Sequence, residues 1–420
     1  MDSYKISFRT LIGNTLARNS AIVFAGSMTA NVLAYVYHLI MGRLLGPARY
    51  GELSSLLSIF YIFAVPLTVA QTVLVKYISG FKARGVVGQA KSLFISVTKL
   101  FIIISLIGLP VILIAAPSIT VFLHLSAPIL IIFVYLTFIF SLLSIVPSSM
   151  LQGYQRFVWV SVFGVGAITI KILLSVLLSV WGVYGVILAA ALAGGLLYAF
   201  YFYPSRFVLA AKNEHSRVNI REMFRFAIPT LLTLLGITSL YSTDIILVRH
   251  FFAAPEAGTY AAIAILGKVI FYASSAVSLV LFPVLSERAA TGTATKKITM
   301  SAVGGVAGIS IGITILYFLF PDFIVRSLFG NAYQGAGVFL GLFGIFIALF
   351  SVGNIIATAC LALGRTGVWF ISVICAILQI VSIIIWHTTL AAVISLNILT
   401  SALFVLGTST YYLKLTYAEI

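Results

Sequence analysis

The chain has 420 residues, of which 62% are apolar and 8% charged, with 25 Lys and Arg against 9 Asp and Glu. A soluble chain of this length carries roughly 105 charged residues, about a quarter of its total, so a soluble globular, disordered or nucleic-acid-coating protein is excluded. The formal charge of +16 then reads as basic loops that hold a membrane topology, because Lys and Arg resist translocation.

A bilayer core about 30 Å thick takes about 20 apolar residues per helix. Such runs lie at about 19–42, 53–78, 92–116, 128–150, 157–180 and 183–203, and after a hydrophilic stretch at about 226–252, 259–285, 299–320, 336–362, 367–387 and 390–413. They predict twelve transmembrane helices in an all-α polytopic membrane protein, since they are too long and too uniform for barrel strands. With the N-terminus inside, inner loops and tails hold seventeen basic residues. The outer loops hold four, Arg43, Arg49, Arg249 and Arg326, which predicts a multi-pass protein of the cytoplasmic membrane with both termini cytoplasmic. The loops leave no room for a soluble catalytic domain, and there is no GxxxxGK[ST] phosphate loop. An enzyme with a globular head and an ATP-driven pump are thereby excluded for this chain. Cys360 and Cys375 have no CxxC and no nearby His; they read as small core side chains, and no metal or cofactor is implied.

The two halves repeat each other. Leu151-Gln-Gly-Tyr-Gln-Arg-Phe-Val-Trp159 matches Leu361-Ala-Leu-Gly-Arg-Thr-Gly-Val-Trp369 at an offset of 210. His38 and Arg43 correspond to Asp244 and Arg249 at 206, and Gly46-Pro-Ala-Arg-Tyr-Gly51 is echoed by Ala254-Pro-Glu-Ala-Gly258. Six spans per repeat make the repeats parallel, with a substrate site expected between them. The reading is an N-terminal six-helix lobe at 1–203, a basic cytoplasmic linker at 204–225 and a C-terminal lobe at 226–420. In the linker Arg217, Arg221 and Arg225 recur every fourth residue, one face of a helix on the inner surface.

Charged side chains within spans are costly and usually face a protein interior or watery cavity. Asp244 and Lys268 lie at similar helical distances, about 17–19 Å, on either side of the turn near residues 255–256. They are expected to share a polar site or to pair. Their repeat counterparts are His38 and Tyr61. Lys171 stands near the middle of span five and points to a polar path; Lys76 lies close to an inner end, where its stem can snorkel. Arg43 and Arg249 recur at equivalent outer ends and are placed to close or line the outer mouth. Gln71, Gln379 and Asn397 read as helix–helix hydrogen-bonding residues. Pro66, Pro147 and Pro283 invite kinks in spans two, four and eight.

The stretch Arg18-Asn-Ser, a span, then Gly42-Arg-Leu-Leu-Gly-Pro-Ala-Arg-Tyr-Gly51 resembles the opening of bacterial and archaeal polysaccharide flippases. These belong to the multidrug/oligosaccharidyl-lipid/polysaccharide exporter superfamily. The resemblance extends over the whole chain. It implies a V-shaped two-lobe transporter that moves a polyprenyl-diphosphate-linked oligosaccharide from the inner to the outer leaflet, with membrane lipids and the polysaccharide synthesis machinery as further partners. The basic bias of the in-span charges suits an anionic diphosphate. Lys171, Lys268, Arg43, Arg249 and Lys76 are the substrate-binding candidates, Asp244 and His38 the ion-coupling ones. The competing readings are a multidrug/cation antiporter of the same superfamily, which wants more acidic residues, and a polysaccharide polymerase, which wants longer outer loops.

Overall fold

The computed structural model describes residues 15–211, 220–290 and 295–417, and among them every regular element is helical. In chain order the α-helices are α1 (Thr15–Arg84), α2 (Val87–Phe122), α3 (Ile129–Gly153), α4 (Phe157–Leu178), α5 (Val183–Leu209), α6 (Ile220–Leu240) and α7 (Thr243–Phe251). They continue with α8 (Ala254–Ala290), α9 (Lys296–Leu319), α10 (Pro321–Phe329), α11 (Gly337–Ala362), α12 (Val368–Ile385) and α13 (Leu390–Tyr417). Among the described residues ten helices are long and apolar enough to cross a bilayer, or eleven when α6 and α7 count as one bent span. The chain is thus a multi-pass, all-α membrane protein. Apolar side chains on α2 stand open, Ile114 at 80% and Ile107 at 67% exposure, an arrangement that lipid solvates and water does not.

Breaks in these helices fall at glycine and at polar residues. In α1 the helical path breaks at Gly46 (φ 70°, ψ 173°), a left-handed φ that glycine takes without steric penalty. Helices α1, α3 and α8 continue past Pro66, Pro147 and Pro283. The expected seventh span, 226–252, is not one straight helix: α6 and α7 meet at a 43° bend with residues 241–242 between them. Pro321 opens α10, and Gly330 (φ 89°) ends it with its N–H on the Arg326 carbonyl, the usual proline-first, glycine-last pattern. The periodicity of the sequence did not reveal this short helix. Helix also extends to Leu209 and resumes at Ile220, inside the expected linker; the face expected from Arg217, Arg221 and Arg225 lies outside the described residues and side chains.

By packing, the chain forms two compact units. The first takes residues 1–38, 67–117 and 129–219; in it α5 packs on α3 and α4. The second takes residues 39–66, 118–128 and 220–420, with α11 at its centre against α8, α9 and α13. Glycines let α11 come close: a Cβ on Gly341 or Gly353 would run into the Phe318 or Phe404 ring. In the same unit a Cβ on Gly258 would overlap the Pro47 carbonyl, so the two turns that the repeat matches are in backbone contact. Cys360 and Cys375 are buried free thiols.

The repeat is visible in backbone geometry as well. Helix α3 ends with Gln155 N–H on Gln152 O (2.9 Å) and Arg156 N–H on Leu151 O (2.8 Å). Helix α11 ends the same way, Gly364 on Leu361 (3.0 Å) and Arg365 on Cys360 (2.9 Å). This cap aligns at an offset of 209, so the second copy carries one more residue between its Arg and the Val-Trp pair.

Candidate functional site

The bend between α6 and α7 frees a backbone carbonyl that needs a donor within the membrane. Gln379 of α12 supplies it, its Nε2 donating to Leu240 O at 3.0 Å and also to Asn397 Oδ1 of α13 at 2.8 Å. Asn397 in turn donates to Asp244 Oδ2 (3.3 Å) and to the Tyr260 hydroxyl (2.8 Å), and that hydroxyl donates to Asp244 Oδ2 at 2.6 Å. Asp244 sits in the first turn of α7, 1% exposed, where the helix dipole favours a negative charge. Its second oxygen, Oδ1, has no hydrogen-bond partner. Three helices, α7, α8 and α13, therefore meet on one buried carboxylate whose Oδ1 has no hydrogen-bond partner, with α12 joined through Asn397. Asn397 and Gln379 were legible as bridging residues; Tyr260 was not, because a tyrosine in a long apolar run carries no sign of what its hydroxyl meets.

Lys268 of α8 is 2% exposed. Its charge and that of Asp244 act on each other, without a hydrogen bond between them: the carboxylate's partners are Tyr260 and Asn397, both at Oδ2. The Lys268 ammonium instead faces two aromatic rings, Tyr241 at 5.1 Å and Tyr61 at 5.8 Å to the centroids, both within cation–π reach. Tyr61 is the repeat counterpart of Lys268, and the expectation for Lys268 and Asp244 was a pair or a shared polar site; the two charges act on each other without a hydrogen bond. Tyr241, in the bend itself, is the neighbour that the sequence did not suggest.

In the first unit Lys171 of α4 places Nζ 4.0 Å from the centroid of the Tyr37 ring. His38 is 8% exposed and meets Tyr37 edge-on at 5.4 Å. Lys76 is exposed on α1, one turn beyond Thr72.

Arg43 and Arg249, the expected substrate contacts, are both engaged by backbone carbonyls. Arg43 donates from Nε to Leu328 O at 2.9 Å and from its terminal nitrogen to Ser327 O, capping α10. Arg249 donates to Leu123 O (3.0 Å) and His124 O (2.7 Å) beyond the end of α2. Each arginine thus satisfies the helix end of the other repeat. Glu52, which the sequence did not single out, holds the same turn from its other side, accepting from the Ser126 N–H (2.6 Å) and hydroxyl (2.8 Å). Arg249 is 5% exposed and feels the Glu52 charge, whereas Arg43 is exposed. Arg249→Ala is therefore expected to lose about 3 kcal/mol of stability and Arg43→Ala about 1 kcal/mol, read as melting temperatures in detergent. Equal shifts would contradict this ordering.

Residues 16–289 match the family described as polysaccharide biosynthesis protein. Over 383 residues, 85% of this chain and 87% of the relative, the sequence is 23% identical to an uncharacterised membrane protein of Methanocaldococcus jannaschii. Among solved structures, the lipid II flippase MurJ in an inward closed conformation superposes with a TM-score of 0.70 at 14% identity, covering 94% of this chain and 87% of that one. An inward-facing multidrug resistance MATE transporter of the MOP superfamily gives 0.67 at 16%, covering 92% and 96%. A MOP superfamily transporter from Pyrococcus furiosus, described with a binding pocket of reversed polarity, gives 0.62 at 16%, covering 99% and 100%. These likenesses show a fold shared with those transporters.

Proposed function

Because the chain belongs to the polysaccharide biosynthesis protein family, we propose that it flips a polyprenyl-diphosphate-linked oligosaccharide from the inner to the outer leaflet of the cytoplasmic membrane by alternating access. Counting the arms of α1 on either side of Gly46 separately, and α6 with α7 as one span, gives twelve crossings. In this reading they form two parallel six-helix lobes, 1–203 and 226–420, with both termini in the cytoplasm. The observation that carries the proposal is Lys268, a buried ammonium with aromatic neighbours and no carboxylate in hydrogen-bond contact. A diphosphate is the ligand class that such a cation recognises most strongly. Lys171, held over Tyr37 in the other repeat, is the second anion contact, and Lys76 meets the substrate near the inner surface.

Asp244 couples the cycle to an ion gradient in this proposal. Its Oδ1 is the open acceptor that a proton or other cation would occupy, and the bend beside it is where a change of charge would act on backbone angle. His38 is the coupling candidate in the first repeat. Arg43 and Arg249, committed to carbonyls, act as clasps on the outer side rather than as substrate ligands. The buried acid is also the feature that favours the second reading, a cation or multidrug antiporter.

Reconstitution in proteoliposomes separates the two. A labelled polyprenyl-diphosphate oligosaccharide is expected to become accessible to an enzyme in the opposite compartment in a protein-dependent way, while cationic dyes are not extruded. Dye efflux without lipid transfer would install the antiporter instead.

A further inference from the structure

We propose that the first unit carries a glycan subsite between α1 and α3, in which amide and hydroxyl side chains take the sugar hydroxyls of the transported lipid. This rests on the flippase reading and names the part of the substrate that the lysines do not explain. Two adjoining clefts, of about 320 and 260 Å³, share Val75 and Gln152 as a common wall. Thr68, Gln71 and Thr72 line the first, and Ser79, Gln155 and Phe157 the second. The polar lining is uncharged, and the space is of the order of a small-ligand pocket.

Gln71 bridges α1 to α3, as expected, but loosely. Gln71 reaches Ser148 Oγ at 3.3 Å and Gln152 Oε1 at 3.5 Å, longer than a well-formed N–H···O bond. The same chain supplies a standard for comparison in Gln379, fully buried and bonded at 2.8 and 3.0 Å. Gln71 and Gln152 are only half-buried, so their amides keep hydrogen-bonding capacity that faces the clefts. An amide offers a donor and an acceptor together, the match for a sugar hydroxyl, which is both. A charged lining would select the diphosphate instead.

Gln155 adds an independent observation. It occupies φ 59°, where its repeat counterpart is Gly364 at φ 72°. A left-handed φ is unfavourable for a residue with a Cβ and free for glycine, so the Gln155 side chain stands here against a backbone preference. Lys82 Nζ donates to Gln155 Oε1 at 2.8 Å, which fixes the amide and leaves its NH₂ as the donor on offer. Phe157 gives the second cleft an aromatic wall for the apolar face of a sugar ring. Lys76 lies one turn beyond Thr72 on α1, where the diphosphate that follows the glycan would find a cation.

The test compares Gln71→Leu, Gln152→Leu and Gln155→Gly with the unaltered protein in proteoliposomes. The two probes are undecaprenyl diphosphate bearing a labelled disaccharide and undecaprenyl diphosphate alone, each scored by its accessibility to a diphosphatase in the receiving compartment. The expected result is a KM about tenfold higher for the glycosylated lipid in each variant, with transfer of the bare lipid unchanged. Gln155→Gly, which relieves the left-handed residue, is expected to melt no lower than the unaltered protein, so its defect is not one of folding. Equal losses on both lipids, or no loss on either, would overturn the subsite while leaving the flippase reading in place. Failure of the unaltered protein to move either lipid would remove that reading and the subsite together.

Discussion

Lys268→Gln is expected to lower transfer of the lipid-linked oligosaccharide by about tenfold to hundredfold, the worth of one charge-assisted hydrogen bond, while the protein folds as well as before. Both halves of that outcome follow from where the ammonium sits. It is 2% exposed on α8, with the Tyr241 and Tyr61 rings 5.1 and 5.8 Å from it and no carboxylate bonded to it. Holding an unpaired cation in a low-dielectric interior works against stability, so a neutral side chain of similar length removes a penalty as well as a cation–π contact. A diphosphate entering that surrounding finds a charge already stripped of water, which strengthens the attraction. Lys268→Arg keeps the charge and is expected to retain most of the transfer. A melting temperature that falls sharply in Lys268→Gln, with transfer lost in proportion, would mean that the residue is structural.

Asp244 gives the opposite partition between its two substitutions. Asp244→Ala leaves the Tyr260 hydroxyl proton without its acceptor in a buried cluster and removes one of the bonds of Asn397, and a stranded buried group costs about 1–3 kcal/mol. That variant is expected to melt well below the unaltered protein and to transport nothing. Asp244→Asn retains an acceptor for Tyr260 in the same shape and removes only the charge. It is expected to fold within about 1 kcal/mol of the unaltered protein and to lose the response of transport to an imposed ion gradient. Transport that still follows the gradient in Asp244→Asn would sink the coupling role. The two substitutions together separate the carboxylate's part in holding the bend at residues 241–242 from its part in the cycle.

The membrane class and the all-helical build were legible in the sequence; of the twelve expected spans, ten or eleven appear as helices long and apolar enough to cross. Bilayer thickness sets the length of an apolar run, and a repeat of whole helices is a linear property that survives as short matched motifs. Arg43 and Arg249 recur in their side-chain bonds to carbonyls, and the match of 151–159 with 361–369 recurs in the backbone cap at an offset of 209. The buried polar candidates were also visible, because a charge inside an apolar run is rare enough to stand out.

Partnership was not visible in the sequence, and the structure supplies it. Arg43 and Arg249 carry the same guanidinium in matching places, and the sequence offers them to substrate. Their actual acceptors lie 285 and 126 residues away in the chain, and those carbonyls occupy them. Gln71 and Gln379 are alike in sequence, single amides in apolar helices. Packing makes one a short buried bridge under the bend and leaves the other on the wall of a cleft. Lys268 and Asp244 were expected to pair or to share a polar site because they share a level; the hydrogen bonds to the carboxylate come from Tyr260 and Asn397. Local sequence determines what enters the membrane and as what element, since that depends on the chain's own hydrophobicity and backbone bonds. Which polar group is left unpaired to meet a ligand depends on helices far apart in sequence, and only the tertiary structure settles it.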